Sequence, residues 1–276
     1  MTTIVQLTDL HLRPRGTPAL RVVETNMFAA RAIRAVATLT SRPDAVIVTG
    51  DVADTADPRA YELAHELLAA LPVPVYLLAG NHDSARTMRS AFADWPGVSE
   101  APSDRVHYAA EIGDLRLVAL DTSVEGQPYG SLGNEQLAWL DATLAAAPDR
   151  PTLIAMHHPP FTTGIAHMDR TRLTDSDAFA EIVSAHRQVR RIVCGHVHRT
   201  VVAPFGGTHA MIVPGVAHQV ALDLTATSAA QFVMEPPAYG IHAWTGEDLV
   251  SHVAYVEAFP GPYPFSPAEG VFWPGD

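Results

Sequence analysis

Five short stretches of this 276-residue chain set aspartate, asparagine and histidine directly behind runs of apolar residues. They are "TDLH" with Asp9 and His11, "TGDV" with Asp51, "GNHD" with Asn81, His82 and Asp83, "MHHPP" with His157 and His158, and "GHVH" with His196 and His198. Oxygen donors mixed with imidazole nitrogens suit first-row divalent metals better than calcium or thiolate-bound zinc. There are enough donors here for two ions, and cysteine has no part in the set. A single histidine behind a strand is more often hydrogen-bonded scaffold than ligand. Together and in this arrangement the residues point to metal. Residues two apart on an extended segment point to the same side, so Asp9 with His11 and His196 with His198 are expected to act as pairs. The "GHVH" loop is then expected to give one imidazole to each of two ions.

Such a site requires elements that bring five loops together. The runs "IVQLT", "AVIVT", "VYLLA", "TLIAM" and "RIVC" each have the length and β-branched content of a buried strand. Between them, residues 24–39, 58–71 and 134–147 carry alanine, leucine and charge at helical spacing, and Pro58 suits a first helical turn. Strand, loop, helix, strand is the pattern of an α/β layer fold, in which loops leaving the carboxyl ends of neighbouring strands converge on one crevice. Between residues 106 and 121, two extended runs flank "IGD", which predicts a hairpin and a mixed sheet. Gly50, Gly80 and Gly195 are expected to let the backbone turn sharply at the strand exits and let the donors approach the ions. After residue 213 the strands become irregular. The tail "PGPYPFSPAEGVFWPGD" is expected to be pinned by its aromatics to a neighbouring surface, such as another subunit.

Composition narrows the function classes. A chain of this length buries a sizeable core without a disulfide or a structural metal, and its one cysteine, Cys194, excludes an intrachain bridge. No apolar run of spanning length and no signal-peptide pattern occurs, so a cytoplasmic protein is expected. The formal charge of −12 argues against long nucleic acid and anionic membrane, whose binding draws on lysine and arginine. Fourteen histidines beside only 18 lysines and arginines direct attention to histidine clusters.

The ordered set D-x-H, GD, GNHD, HH and GHxH, from Asp9 to His198, resembles the calcineurin-like metallophosphoesterase superfamily. Within it, "QLTDLH", "MHHPP" and "VPGVAHQV" look most like class III cyclic nucleotide phosphodiesterases and bacterial glycerophosphodiesterases. The resemblance implies a four-layer αββα sandwich of two mixed sheets flanked by helices. It also implies a catalytic domain over residues 1–213 and a small β-rich cap or dimerisation segment over 214–276. One ion would be held by Asp9, His11, Asp51 and His198. The other would be held by Asp51, Asn81, His157 and His196, with Asp51 bridging. His82 matches the histidine that faces the phosphate without binding metal, and His218 a further pocket histidine; Asn81 also borders the substrate. The chain departs from the protein phosphatases of the superfamily, lacking their arginine after GD and ending its next block in aspartate. It departs from purple acid phosphatases in having Asp54 where they place a tyrosine.

Two divalent ions about 3.5–4 Å apart bring a water's pKa toward neutrality and clamp phosphoryl oxygens during in-line displacement. The expected activity is hydrolysis of small phosphodiesters, either cyclic nucleotides such as 3′,5′-cAMP and 2′,3′-cAMP or glycerophosphodiesters, with iron, manganese, zinc or cobalt as cofactors. His82 is expected to protonate the leaving alkoxide and Asp83 to orient a ligand histidine. The enzyme alternatives are a phosphomonoesterase, a nucleotide pyrophosphohydrolase or a nuclease. The non-enzyme alternative is a silent scaffold, which would be free to lose ligands; none is missing. His158 is weighed between shaping the "HHPP" turn and lining the pocket. Tyr129, Phe161 and Met168 lie in segments that could wall it. His65, His107, His186, His209, His242 and His252 are read as scaffold or surface, and a homo-oligomer is expected.

Overall fold

Each apolar run expected to be a strand forms one in the computed structural model, which describes residues 1–101 and 105–264. The first half of the chain comprises β1 (Thr2–Leu7), α1 (Thr25–Ala37), β2 (Ala45–Thr49), α2 (Pro58–Leu68), β3 (Val75–Leu78) and α3 (Ala85–Ala91). Next come the hairpin β4 (Tyr108–Ile112) and β5 (Leu115–Ala119), then α4 (Gly133–Ala145), β6 (Thr152–Ala155), α5 (Ala166–Asp169), α6 (Ser176–Ala185) and β7 (Val189–Cys194). The remainder is β8 (Val201–Phe205), β9 (Thr208–Ile212), β10 (Gln219–Val220), β11 (Phe232–Val233), β12 (Ala238–Trp244) and β13 (Leu249–Tyr255).

Two mixed sheets result, ordered β13-β12-β1-β2-β3 and β4-β5-β6-β7-β9-β8, with β10 and β11 forming a separate two-stranded ribbon. At its centre the second sheet is buried on both faces, which explains why β6 reads as an unbroken apolar run. Along β5, Leu117 and Ala119 join the core cluster shared with the first sheet, while Val118 and Leu120 join the one beneath α4 and α6. Helices follow the same logic. In α1, Ala29, Ala32, Ile33 and Val36 are buried at helical spacing, and Asp57 starts α2 by accepting the Arg59 N–H at 2.9 Å. The architecture is the expected α/β sandwich with helices outside.

A polar chain crosses the seam between the sheets. Gln6 Nε2 donates to Thr49 Oγ1 (2.8 Å) and to the Cys194 carbonyl (2.9 Å). His242 Nε2 lies 3.0 Å from Gln6 Oε1, and its Nδ1 lies 2.8 Å from Ser251 Oγ. A neutral imidazole satisfies both contacts, donating from Nε2 and accepting at Nδ1. The scaffold reading of His242 therefore describes a fully buried link within the first sheet, behind the Gln6 side chain that crosses to Cys194.

β12 runs antiparallel to β1 and β13 to β12, so Ala238–Tyr255 extends the first sheet from within the region after residue 213. Hydropathy reports that a strand is half-buried but not which sheet edge it joins. The aromatic tail lies outside the described residues beyond position 264.

Candidate metal centre

The loops leaving the carboxyl ends of β1, β2, β3, β6 and β7 meet at one end of the sandwich. There the backbone is strained. Asp9 (φ 55°), His11 (φ 45°), Asp51 (φ 49°), His196 (φ 70°) and His198 (φ 51°) all adopt left-handed conformations, which are uncommon outside glycine. Strain of this kind costs on the order of 1–3 kcal/mol per residue and gathers at functional sites. It also corrects the expected basis of pairing: Asp9 with His11 and His196 with His198 are brought together by left-handed turns and not by an extended segment. Three glycines serve close approach, Gly50 against the His157 ring among them. A Cβ on Gly80 would strike the Asp51 carboxylate, and one on Gly195 would strike Thr8 Oγ1. Among Gly50, Gly80 and Gly195, a positive φ is found only at Gly50.

The donors form two groups sharing one carboxylate. In the first, His198 Nε2 lies 3.2 Å from Asp9 Oδ1 and 3.2 Å from His11 Nε2, and His11 Nε2 lies 3.5 Å from Asp51 Oδ2. In the second, Asn81 Oδ1 lies 3.1 Å from His157 Nε2 and 3.0 Å from His196 Nδ1, and His157 Nε2 lies 3.4 Å from Asp51 Oδ2. Asp51 Oδ2 thus stands between the two groups.

Each imidazole has its other ring nitrogen tied to an oxygen. His157 Nδ1 donates to the Thr49 carbonyl (2.8 Å), His198 Nδ1 to the His218 carbonyl (2.9 Å) and His11 Nδ1 to Asp54 Oδ1 (3.0 Å). His196 Nε2 lies 2.9 Å from Thr171 Oγ1, whose own hydroxyl donates to the Met168 carbonyl, so His196 is the donor. Four lone pairs therefore aim inward. This is how ligating histidines are oriented. Two imidazole lone pairs 3.2 Å apart, beside a carboxylate, repel one another unless a cation lies among them. Asp9 Oδ2 is also buried with no hydrogen-bond partner. The donor set fits two cations, and Asp9, His11, Asp51 and His198 lie close enough together to hold one.

The carboxylates and imidazoles of the site shift one another's charge. Burial would raise the Asp9 and Asp51 carboxyls, but His198 and His157 respectively hold them well below the usual range. His157, though burial opposes its charge, is lifted to about 9 by Asp51. Burial and the neighbouring His157 depress His196 to about 3.

A crevice of about 360 Å³ opens over the donors. His11, Asp51, Asn81, His82, His196, His198 and His218 line it, while Asp9 and His157 are wholly buried. His82 donates from Nδ1 to the Asp54 carbonyl at 2.8 Å, and its backbone N–H donates to Asp51 Oδ1 at 2.9 Å. The His218 ring centroid lies 4.7 Å from that of His198 and 5.4 Å from that of His11. His158 is behind the site and not in the crevice: it is fully buried, with Nδ1 2.8 Å from Thr122 Oγ1 and its ring 4.6 Å from that of His196.

Asp83 does not touch a ligand histidine. Its carboxylate accepts the N–H groups of Val52 (3.0 Å), Ala53 (2.9 Å) and Gly80 (2.9 Å) and the Tyr61 hydroxyl (3.0 Å), locking the β2 and β3 loops together. The orienting role expected of it belongs to Asp54, which Arg13 braces at 2.6 Å. Sequence reasoning missed Asp54, Thr171 and His167, and also the apolar wall of Leu20, Val220 and Phe232; of the residues weighed between pocket wall and core cover, Met168 lines the crevice and Phe161 lies in the core. Only Asp54, three residues after Asp51, carried a local signal.

Two donor groups sharing a carboxylate at the strand ends of a four-layer αββα sandwich are the layout of a dinuclear metallophosphoesterase. Comparison with known proteins agrees. Residues 2–200 match the calcineurin-like phosphoesterase family. The chain is 35% identical over 269 residues to a probable glycerophosphodiester phosphodiesterase, GpdQ, of Arcobacter nitrofigilis, covering 97% of this chain and 98% of the relative. It is 38% identical over 255 residues to a probable cyclic nucleotide phosphodiesterase of Rhodopseudomonas palustris, covering 90% of each. A dimetal phosphatase from Danio rerio shares the fold with a TM-score of 0.68 at 17% identity, over 93% of this chain and 96% of that one. The chain belongs to the calcineurin-like phosphoesterase family, whose members are hydrolytic. Among the described residues, no helix is long and apolar enough to cross a membrane.

Proposed function

We propose that this chain hydrolyses small phosphodiesters, glycerophosphodiesters or cyclic nucleotides, using two first-row metal ions drawn from iron, manganese, zinc and cobalt. The observation that carries the proposal is the position of Asp51 Oδ2, 3.5 Å from His11 Nε2 and 3.4 Å from His157 Nε2. Asp9, His11, Asp51 and His198 hold one ion; Asp51, Asn81, His157 and His196 hold the other. When bound, such ions supply Lewis acidity toward the phosphoryl group and make water ionise near neutral pH.

The chain's own residues do the rest. His82 keeps Nδ1 on the Asp54 carbonyl, which directs Nε2 to the crevice. Burial disfavours its charge, but Asp51 more than offsets this and raises its pKa. Its Nε2 proton passes to the departing alkoxide oxygen, as a general acid acts. His218 borders the phosphate from the side of His198. Leu20, Met168, Val220 and Phe232 exclude water and meet the organic part of the diester. The exposed apolar residues Leu222, Leu224 and Met234, beside the β10–β11 ribbon, favour a cap segment after residue 213 and a homo-oligomer. A reducing cytoplasm suits a chain whose one thiol is buried and uncrosslinked.

The test is turnover by the manganese-, zinc-, cobalt- or iron-loaded protein on 3′,5′-cAMP, 2′,3′-cAMP, glycerophosphoethanolamine and a phosphomonoester. Diester cleavage that chelator abolishes and metal restores is expected. Cleavage confined to the monoester would overturn the diesterase reading, and metal-independent cleavage would overturn the site.

A further inference from the structure

Three arginines line one cavity away from the metal crevice. Arg187, Arg190 and Arg191, with Thr208 and His209, line a cavity of about 330 Å³ where the first residues of β7 and β9 face the turn between β12 and β13. Of the fifteen other arginines of this acidic chain, seven lie within 3.3 Å of a carboxylate oxygen. Among the described residues, none of these three has an acidic partner within 4.0 Å, although Asp248 stands on the same rim.

The chain brings them together by an irregularity. β7 pairs with β6 so that Thr152 faces Val189 and Leu153 faces Arg191, leaving Arg190 as an extra residue. Adjacent residues of a regular strand point to opposite faces, and such a bulge re-aims one of them. Both side chains therefore reach the first sheet across the seam. The Arg190 guanidinium carbon lies 5.6 Å from the centroid of the Trp244 ring, and Arg191 Nη2 donates to the Leu249 carbonyl at 2.9 Å. Arg191 Nε is buried with no hydrogen-bond partner, which leaves a desolvated cationic donor unmatched. The two guanidinium groups are held in place before any ligand arrives, so little side-chain freedom is lost on binding.

We propose that this seam binds a compact phosphate-bearing anion, either inorganic phosphate or a small phosphomonoester, at a site separate from the metal crevice. Guanidinium forks match phosphate oxygens bidentately, and Thr208 and His209 add hydrogen-bonding groups at the rim. A phosphate would supply counter-charge to the exposed Arg187 and Arg190 and to Arg191 on the same lining.

Phosphate also approaches the metal crevice, so the experiment counts sites. The metal-loaded protein is titrated calorimetrically with inorganic phosphate and with glycerol phosphate in low-chloride buffer, with turnover of bis(p-nitrophenyl) phosphate followed in parallel. Two classes of site are expected in the wild type. The second class should weaken at least tenfold in Arg187→Ala/Arg190→Ala and in Arg191→Gln, with turnover within twofold of wild type. Arg187→Ala alone, at an exposed position, keeps the test valid if Arg191→Gln fails to fold, and it should weaken the same class about threefold. Preference for glycerol phosphate over inorganic phosphate would identify a phosphomonoester as the ligand, and the reverse the free ion. A single class of site in the wild type, unchanged binding in Arg187→Ala, or equal affinity for sulfate would each overturn the proposal.

Discussion

Asp54 Oδ1 accepts from His11 Nδ1 at 3.0 Å, and through this contact a residue outside every metal-binding group of the motif governs one that faces the ions. The second oxygen of Asp54 is held by Arg13 at 2.6 Å, so the carboxylate is fixed from both sides. Burial works against its ionisation, but His11 and then Arg13 keep its pKa down at about 2. It is therefore an anion throughout the neutral range. Asp54→Ala should lower metal affinity about 10–100-fold, the usual cost of losing such an orienting partner. Metal titration followed by atomic absorption checks this, and unchanged affinity would show that His11 needs no support.

His82 separates acid catalysis from metal binding. His82→Ala leaves the donor atoms intact, so metal content should stay at two ions per chain. Turnover of an alkyl diester, whose leaving group needs a proton, should fall about 10²–10⁴-fold. A p-nitrophenyl diester, whose leaving group departs without one, should lose far less. Equal losses on both substrates would remove His82 from the role of acid.

Leu20 and Arg21 occupy left-handed backbone at φ 47° and 69°, in a tight turn closed by the Val22 N–H on the Ala19 carbonyl (3.1 Å). Leu20 lines the metal crevice while remaining half exposed. Asparagine tolerates this conformation better than leucine. Leu20→Asn should therefore raise stability by about 1 kcal/mol and raise KM for diesters with bulky leaving groups. Thermal melts and steady-state kinetics on one preparation test both halves. A stabilised variant with unaltered KM would make the strain purely structural.

His242 should make the first sheet sensitive to acid. Burial first, and the nearby Arg191 second, push its pKa down to about 3 from the ordinary 6.5. Below pH 6.5 the unfolded chain takes up a proton that the folded chain refuses, so stability declines as pH drops from about 6.5 toward 3. The slope approaches 1.4 kcal/mol per pH unit. Loss of the ring leaves Gln6 Oε1 unmatched, so His242→Gln should be less stable at pH 7 but lose less on acidification. Urea melts of both proteins at pH 7, 6, 5 and 4 should show their midpoints converging; parallel declines would contradict a neutral buried imidazole.

The five core strands, the hairpin, three of the helices and the donor identities were legible along the chain, because burial patterns and residue chemistry are properties of short segments; the short helices α3, α5 and α6 were not. "AVIVT" must be buried on both faces wherever it lies, and the five blocks from Asp9 to His198 carry their ligand atoms in any fold. The exchange of roles between Asp83 and Asp54 was not legible. Both acids follow a motif by a few residues, and only the turn after β2 decides that one meets His11 while the other meets backbone N–H groups of two loops. Thr171 and Leu20 reach the site across long stretches of chain for the same reason. Arg190 became a neighbour of Trp244 through a single extra residue in β7. Sequence therefore determined which chemistry the chain carries and roughly where its strands end. Tertiary structure decided which groups share a proton, a cation or an unmet charge, since those interactions depend on separations of about 3 Å between residues far apart in the chain.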